Sequence, residues 1–210
     1  MSKGADYVGF DWEKWETGDY PSLEYHSEKK LDLLHDYLVL YLEIVLKNTL
    51  GKEIQEITII DGFAGGGIYQ DGKIGSPLTI LKAIEAAEAL INNGRDKRTK
   101  IVPTCYFIEQ DACAFACLEA ALKSHGYGDR LDKTIHLRRK PFDKCVSEIV
   151  HAINQRHKGG GNRTIFFLDQ CGYVKIPAAL IKEIDIGLHQ RAEFIINFSI
   201  TWLSEFLSDK

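Results

Sequence analysis

The stretch Ile59-Ile60-Asp61-Gly62-Phe63-Ala64-Gly65-Gly66-Gly67 runs from apolar β-branched residues through an acid into a turn with four glycines in six residues. β-branched residues favour extended chain, and a run without polar alternation suits a strand covered on both faces. Glycine permits positive φ and lets backbone approach a ligand with no Cβ in the way. In an open parallel sheet, ligands bind outside the carboxyl ends of the strands. This one segment therefore predicts the fold and the location of its site. The plainer alternative is a tight surface turn that needs glycine for geometry alone.

Similar runs recur at Ile165-Phe166-Phe167-Leu168 and Phe194-Ile195-Ile196. The pattern predicts strands at 56–61, 101–109, 134–138, 164–169 and 194–198, separated by amphipathic helices near 76–93, 111–125, 142–157 and 177–185. Alternating strands and helices define an α/β class with an open, doubly wound, mostly parallel sheet. Ahead of it, Phe10, Trp12, Trp15, Tyr20 and Tyr25 interleave with acids in an irregular arm. Ser27 is then expected to cap a helix over 27–49, in which Leu31, Leu34, Leu38, Leu42 and Val45 recur at helical spacing until Gly51. The expected organisation is an N-terminal arm and helix over 1–50 packed on a Rossmann-like domain over 51–210. Residues 158–162, Lys-Gly-Gly-Gly-Asn, read as an exposed loop.

At 210 residues, 45% hydrophobic and 27% charged, the composition excludes disorder, collagen and coiled coil. Its longest apolar stretches carry Glu43, Glu85 and Glu88, well short of the roughly 20 uninterrupted apolar residues of a membrane span. Asp6, Asp11, Glu13, Glu16 and Asp19 occupy the place of a signal peptide's basic region, so a cytoplasmic location is expected. A net charge of -4 argues against bulk attraction to nucleic acid and leaves only a local basic groove for that purpose. The five cysteines form no CxxC pair and read as reduced structural thiols; no metal site is expected.

The glycines at 62, 65, 66 and 67 fit neither GxGxxG nor a GxxxxGK phosphate loop. The following helix is delayed until Gly75-Ser76-Pro77, where Ser76 is expected to cap and Pro77 to take the first helical position. Glu109, at the tip of the second strand, is placed to accept both hydroxyls of an adenosine ribose, although the interval from the glycines is more than twice the dinucleotide pattern's. Asp111 reads as the cap of the next helix. Asp169 ends the fourth strand behind apolar residues and can accept a hydrogen bond from a substrate amine, with Tyr173 able to stack on a base. Its alternative is a strand-terminal turn satisfied by backbone amides. His26, His35 and the Arg138-Arg139-Lys140 turn read more simply as packing or solvated groups.

The elements Asp61-Gly62-Phe63-Ala64-Gly65-Gly66-Gly67-Ile68-Tyr69 and Gly75-Ser76-Pro77-Leu78 resemble those of the three-Cys-motif partner protein family. That family resembles class I S-adenosylmethionine-dependent methyltransferases, and the same elements are similar to those of a ribosomal RNA adenine methyltransferase. The resemblance runs from about Tyr25 through Asn197. It implies S-adenosylmethionine held by Asp61, Gly62, Phe63, Ala64, Gly65, Glu109, Gln110 and Asp169, with Asp169 and Tyr173 at the target amine. It also implies a partner bearing a three-cysteine motif, similar to radical S-adenosylmethionine enzymes, and nucleic acid as substrate. Gln170 stands where the family has proline, and the alternative this departure raises is a non-catalytic cofactor-binding or scaffolding partner. Beyond the fifth strand only 201–210 remain, where such a sheet adds a helix and two strands, so an abbreviated fold or a fragment is expected.

Overall fold

The computed structural model describes residues 18–47, 53–156, 163–169 and 176–197. Helix α1 (Tyr25–Lys47) begins two residues before the expected cap, because the Glu28 amide already donates to Glu24 O at 3.0 Å. Ser27 thus lies inside the first turn. One face of α1 buries Leu34, Leu38, Leu42 and Leu46, while Leu33, Leu40 and Ile44 stay exposed on another.

Strand and helix then alternate as expected: β1 (Ile54–Asp61), α2 (Ser76–Asn92), β2 (Lys100–Ile108), α3 (Ala112–Leu122), β3 (Ile135–Arg138), α4 (Phe142–Arg156), β4 (Arg163–Leu168), α5 (Ala178–Gly187) and β5 (Ala192–Ile196). The last strand starts two residues earlier than the apolar run indicated and ends at Ile196; Phe198 lies outside the described residues. The strands form one sheet in the order β3-β2-β1-β4-β5, and every pairing is parallel. This is an α/β architecture with the strand order of a Rossmann-like fold.

Both faces of the sheet are covered. On one, α1, α2 and α3 pack on Ile57, Ile59, Cys105, Phe107, Ile165 and Phe167. On the other, α4 and α5 pack on Ile60, Tyr106, Ile108, Phe166 and Leu168. Because side chains alternate along a strand, the odd-numbered positions of β1, β2 and β4 share the first face. That parity puts Asp61, the last residue of β1, on the α1–α2–α3 side, and extended by one residue past β2 and β4 it puts Glu109 and Asp169 there too. The strand pattern, buried on both faces, is what makes the apolar runs continuous. No described helix is long and apolar enough to cross a membrane.

Candidate functional site

The glycine turn after β1 is held by its neighbours. Gly62 donates from its amide to Phe167 O at 3.0 Å and Ala64 to Ile108 O at 2.9 Å, which ties the turn to β4 and β2. The Gly65 amide donates to Glu109 Oε2 at 2.9 Å, and the Asp111 amide to Glu109 Oε1 at 2.7 Å. Gly65 and Gly67 have φ of 61° and 75°, the left-handed region that favours glycine. A Cβ on Gly62 would come within 2.8 Å of Leu168 Cδ2, and one on Gly67 within 2.9 Å of Leu118 Cδ1. Close packing inside the protein therefore accounts for these two glycines by itself.

Asp61 is fully buried, and its Oδ1 accepts from the Phe63 amide at 3.1 Å. Among the described residues, Oδ2 has no hydrogen-bond partner. Burial raises the Asp61 pKa to about 7; the Ser76 hydroxyl and the Phe63 amide pull it down, and the charges of Asp169 and Glu109 add to the rise. The Glu109 pKa is also raised, first by burial, against the lowering effect of the Asp111 and Gly65 amides. Asp61 feels the charges of both Asp169 and Glu109, as expected for acids at the carboxyl ends of β1 and of its two neighbours in the sheet, β2 and β4.

Asp169 follows β4, and among the described residues two side chains hold its carboxylate; the turn amides of its plainer reading, beyond Asp169, lie outside the described residues. Lys30 Nζ donates to Oδ2 at 2.7 Å and Asn197 Nδ2 donates to Oδ1 at 2.8 Å. Lys30 comes from α1 and Asn197 from the residue after β5, so the first helix and the last strand both reach the same carboxylate. A second ion pair, Lys73 Nζ to Glu28 Oε2 at 2.8 Å, ties α1 to the segment beyond the glycine turn.

The remaining expected residues fall as follows. Phe63 turns its ring toward Phe142, with centroids 6.2 Å apart, on the α4 side of the sheet. Gln110 is exposed beside Glu109. Gln170, Cys171 and Tyr173 lie outside the described residues, as do Trp12 and Trp15. Ser76 is not the cap of α2: Gly75 holds that position with no side-chain bond, and Ser76 bears on Asp61 instead. Asp111 does cap α3, accepting from the Ala114 amide at 2.9 Å. Arg138 and Lys140 both lie near Glu148, at 3.9 and 3.7 Å, and Arg138 also covers the Tyr106 ring. Cys105, Cys117 and Cys145 are buried free thiols, with Cys113 half-buried. Among the described residues, no group of three His, Cys, Asp or Glu side chains is arranged to hold a metal ion.

The sequence assigns no role to Lys30 or Asn197, and it marks Ser76 only as a helix cap, not as a neighbour of Asp61. Lys30 and Asp169 are 139 residues apart, so nothing in local spacing signals their contact. A groove of about 840 Å³ lies at the opposite, amino ends of the strands, lined by Glu85, Glu88, Arg98, Lys100 and Arg130. Cations there suit the negative pole at the C-terminus of α2. The chemistry-bearing carboxylates are all at the other end. Comparison with known proteins finds no family model that matches the chain and no curated protein that matches it.

Proposed function

We propose that this protein is an S-adenosylmethionine-dependent methyltransferase of the cytoplasm, acting on an amine of a nucleic-acid base. The carrying observation is the orphaned Oδ2 of buried Asp61 within a cluster completed by Glu109 and Asp169. A buried acceptor without a donor, among three carboxylates, favours a cationic ligand that also brings hydrogen-bond donors. S-adenosylmethionine supplies a positively charged sulfur, an ammonium group and two ribose hydroxyls, along with an activated methyl.

Asp61 and the glycine turn would hold its methionine portion, and Glu109 its ribose. Asp169 would accept a hydrogen bond from the target amine and orient the nitrogen lone pair, and positioning of that kind carries most of the catalysis. Titration calorimetry with S-adenosylmethionine and S-adenosylhomocysteine tests the reading. Binding is expected, weakened about tenfold or more by Asp61→Ala or Glu109→Ala through lost charged hydrogen bonds. Asp169→Ala should abolish transfer and leave binding. Absence of heat with either ligand would overturn the proposal.

The exposed Leu33, Tyr37, Leu40 and Ile44 of α1 favour a second reading, the scaffolding partner of a three-Cys-motif protein. Under it, a co-expressed three-Cys-motif protein would be retained by the wild type and lost from a Leu40→Ser/Ile44→Ser variant.

A further inference from the structure

The ion pair on Asp169 bears on what the substrate must carry. Resting on the methyltransferase reading, we infer that Lys30 reserves Asp169 until substrate arrives and then turns to a phosphate of that substrate. The substrate is then a phosphorylated nucleotide unit, as in a nucleic-acid strand, and not a free base or nucleoside.

Both Asp169 oxygens already have donors, Lys30 Nζ at 2.7 Å and Asn197 Nδ2 at 2.8 Å. A target amine arriving at Oδ2 competes with the ammonium for the same acceptor. The two side chains are only 35% and 25% exposed, so the pair is shielded from water over most of its surface. Removing one partner of a shielded pair leaves the other charge poorly compensated. A neutral amine can take the hydrogen bond on Asp169 but cannot neutralise Lys30. Among the described residues no other carboxylate makes an ion pair with Lys30. An anionic group on the same substrate would meet that need, and the flexible four-carbon stem of lysine gives the ammonium room to follow it. Phosphate is the anion that accompanies an amine-bearing base, and a charge-assisted contact to it is stronger than a neutral one.

The test uses full-length protein saturated with S-adenosylhomocysteine, titrated with AMP and CMP against adenosine and cytidine and followed by NMR. For whichever base binds, the 5′-phosphate is expected to tighten binding by about fivefold or more. Lys30→Gln should bring the two affinities together, and Lys30→Arg should keep them apart. Equal binding of nucleotide and nucleoside by the wild type overturns the inference, as does absence of nucleotide binding or a preference that survives Lys30→Gln. The wild-type comparison decides the matter even if Lys30→Gln fails to fold. Failure of S-adenosylhomocysteine itself to bind is a different result, which removes the methyltransferase reading and this inference with it.

Discussion

The backbone amide of Gly65 donates to Glu109 Oε2 at 2.9 Å, so the acid that ends β2 grips the turn that follows β1. With Oε1 taken by the Asp111 amide, Glu109 fastens the glycine turn and the start of α3 together. A ribose binding at Glu109 has to share or replace these donors, which couples ligand entry to the loosening of both segments.

Glu109→Gln tests that grip. Glutamine offers one oxygen where glutamate offers two, and its amide group turned toward a backbone N–H would repel it. One of the two amides then loses its acceptor, at a cost of about 1–3 kcal/mol. Relief of a buried charge runs the other way, so global stability alone does not decide. Hydrogen exchange does: the Gly65 or Asp111 amide should exchange markedly faster in the variant, and unchanged protection at both would refute the role.

The glycines should differ in what a methyl group costs. At Gly67 a Cβ meets Leu118 Cδ1 at 2.9 Å on a backbone with φ of 75°; at Gly62 it meets Leu168 and the Phe142 ring at 2.8 and 3.0 Å without that strain; at Gly72, with φ of 71°, it meets nothing. Overpacking costs about 1–3 kcal/mol, and left-handed backbone about 1–2 kcal/mol. Urea unfolding of the three alanine variants should therefore rank Gly67→Ala as most damaging. A Gly62→Ala protein as stable as wild type would mean that the contact with β4 and α4 is not as tight as described.

The two faces of α1 make a paired prediction. Leu38 is wholly buried on the packed face of α1, and Leu38→Ala should lower stability by about 2–5 kcal/mol. Leu40 is 55% exposed, and Leu40→Ala should stay within about 0.5 kcal/mol of wild type. A large loss at Leu40 in the isolated protein would show that this face is already covered.

The sheet was legible because covered parallel strands leave short apolar runs rich in β-branched and aromatic residues, such as Ile57 to Ile60 and Ile165 to Leu168, which a half-exposed strand does not imitate. Parity along those strands even carries the cluster: Asp61, Glu109 and Asp169 are each an odd continuation of a buried odd series. Boundaries were less legible. Ser27 and Ser76 have the chemistry of helix caps, yet one is inside a helix that starts earlier and the other serves a buried acid after Gly75 takes the cap. Side-chain capping competes with whatever else a hydroxyl can reach, and that competitor is tertiary. Lys30 and Asn197 left no trace for the same reason, since their partner is brought to them by the order in which strands pair and by the helix laid across them.

Asp61 should make stability depend on pH in a direction opposite to that of an ordinary salt-bridged acid. Burial raises its pKa from the usual 3.8 to about 7, so between these values the folded protein binds a proton that the unfolded chain does not. Stability from this group is complete below about pH 4 and is lost as pH rises through 7. With 3.8 and about 7 as the limits, the span is on the order of 4 kcal/mol. Asp61→Asn keeps the shape without the charge, so the gap between the variant and wild type in urea unfolding should shift in the variant's favour from pH 4.5 to 8. A cationic ligand favours the charged carboxylate, so under the methyltransferase reading affinity for S-adenosylmethionine should climb over the same interval and level off above it. Binding near pH 6 should accordingly release protons, visible as a calorimetric heat that changes with the buffer's ionisation enthalpy, and Asp61→Asn should remove most of that release. A gap that stays flat with pH would show that Asp61 is charged, and compensated, throughout.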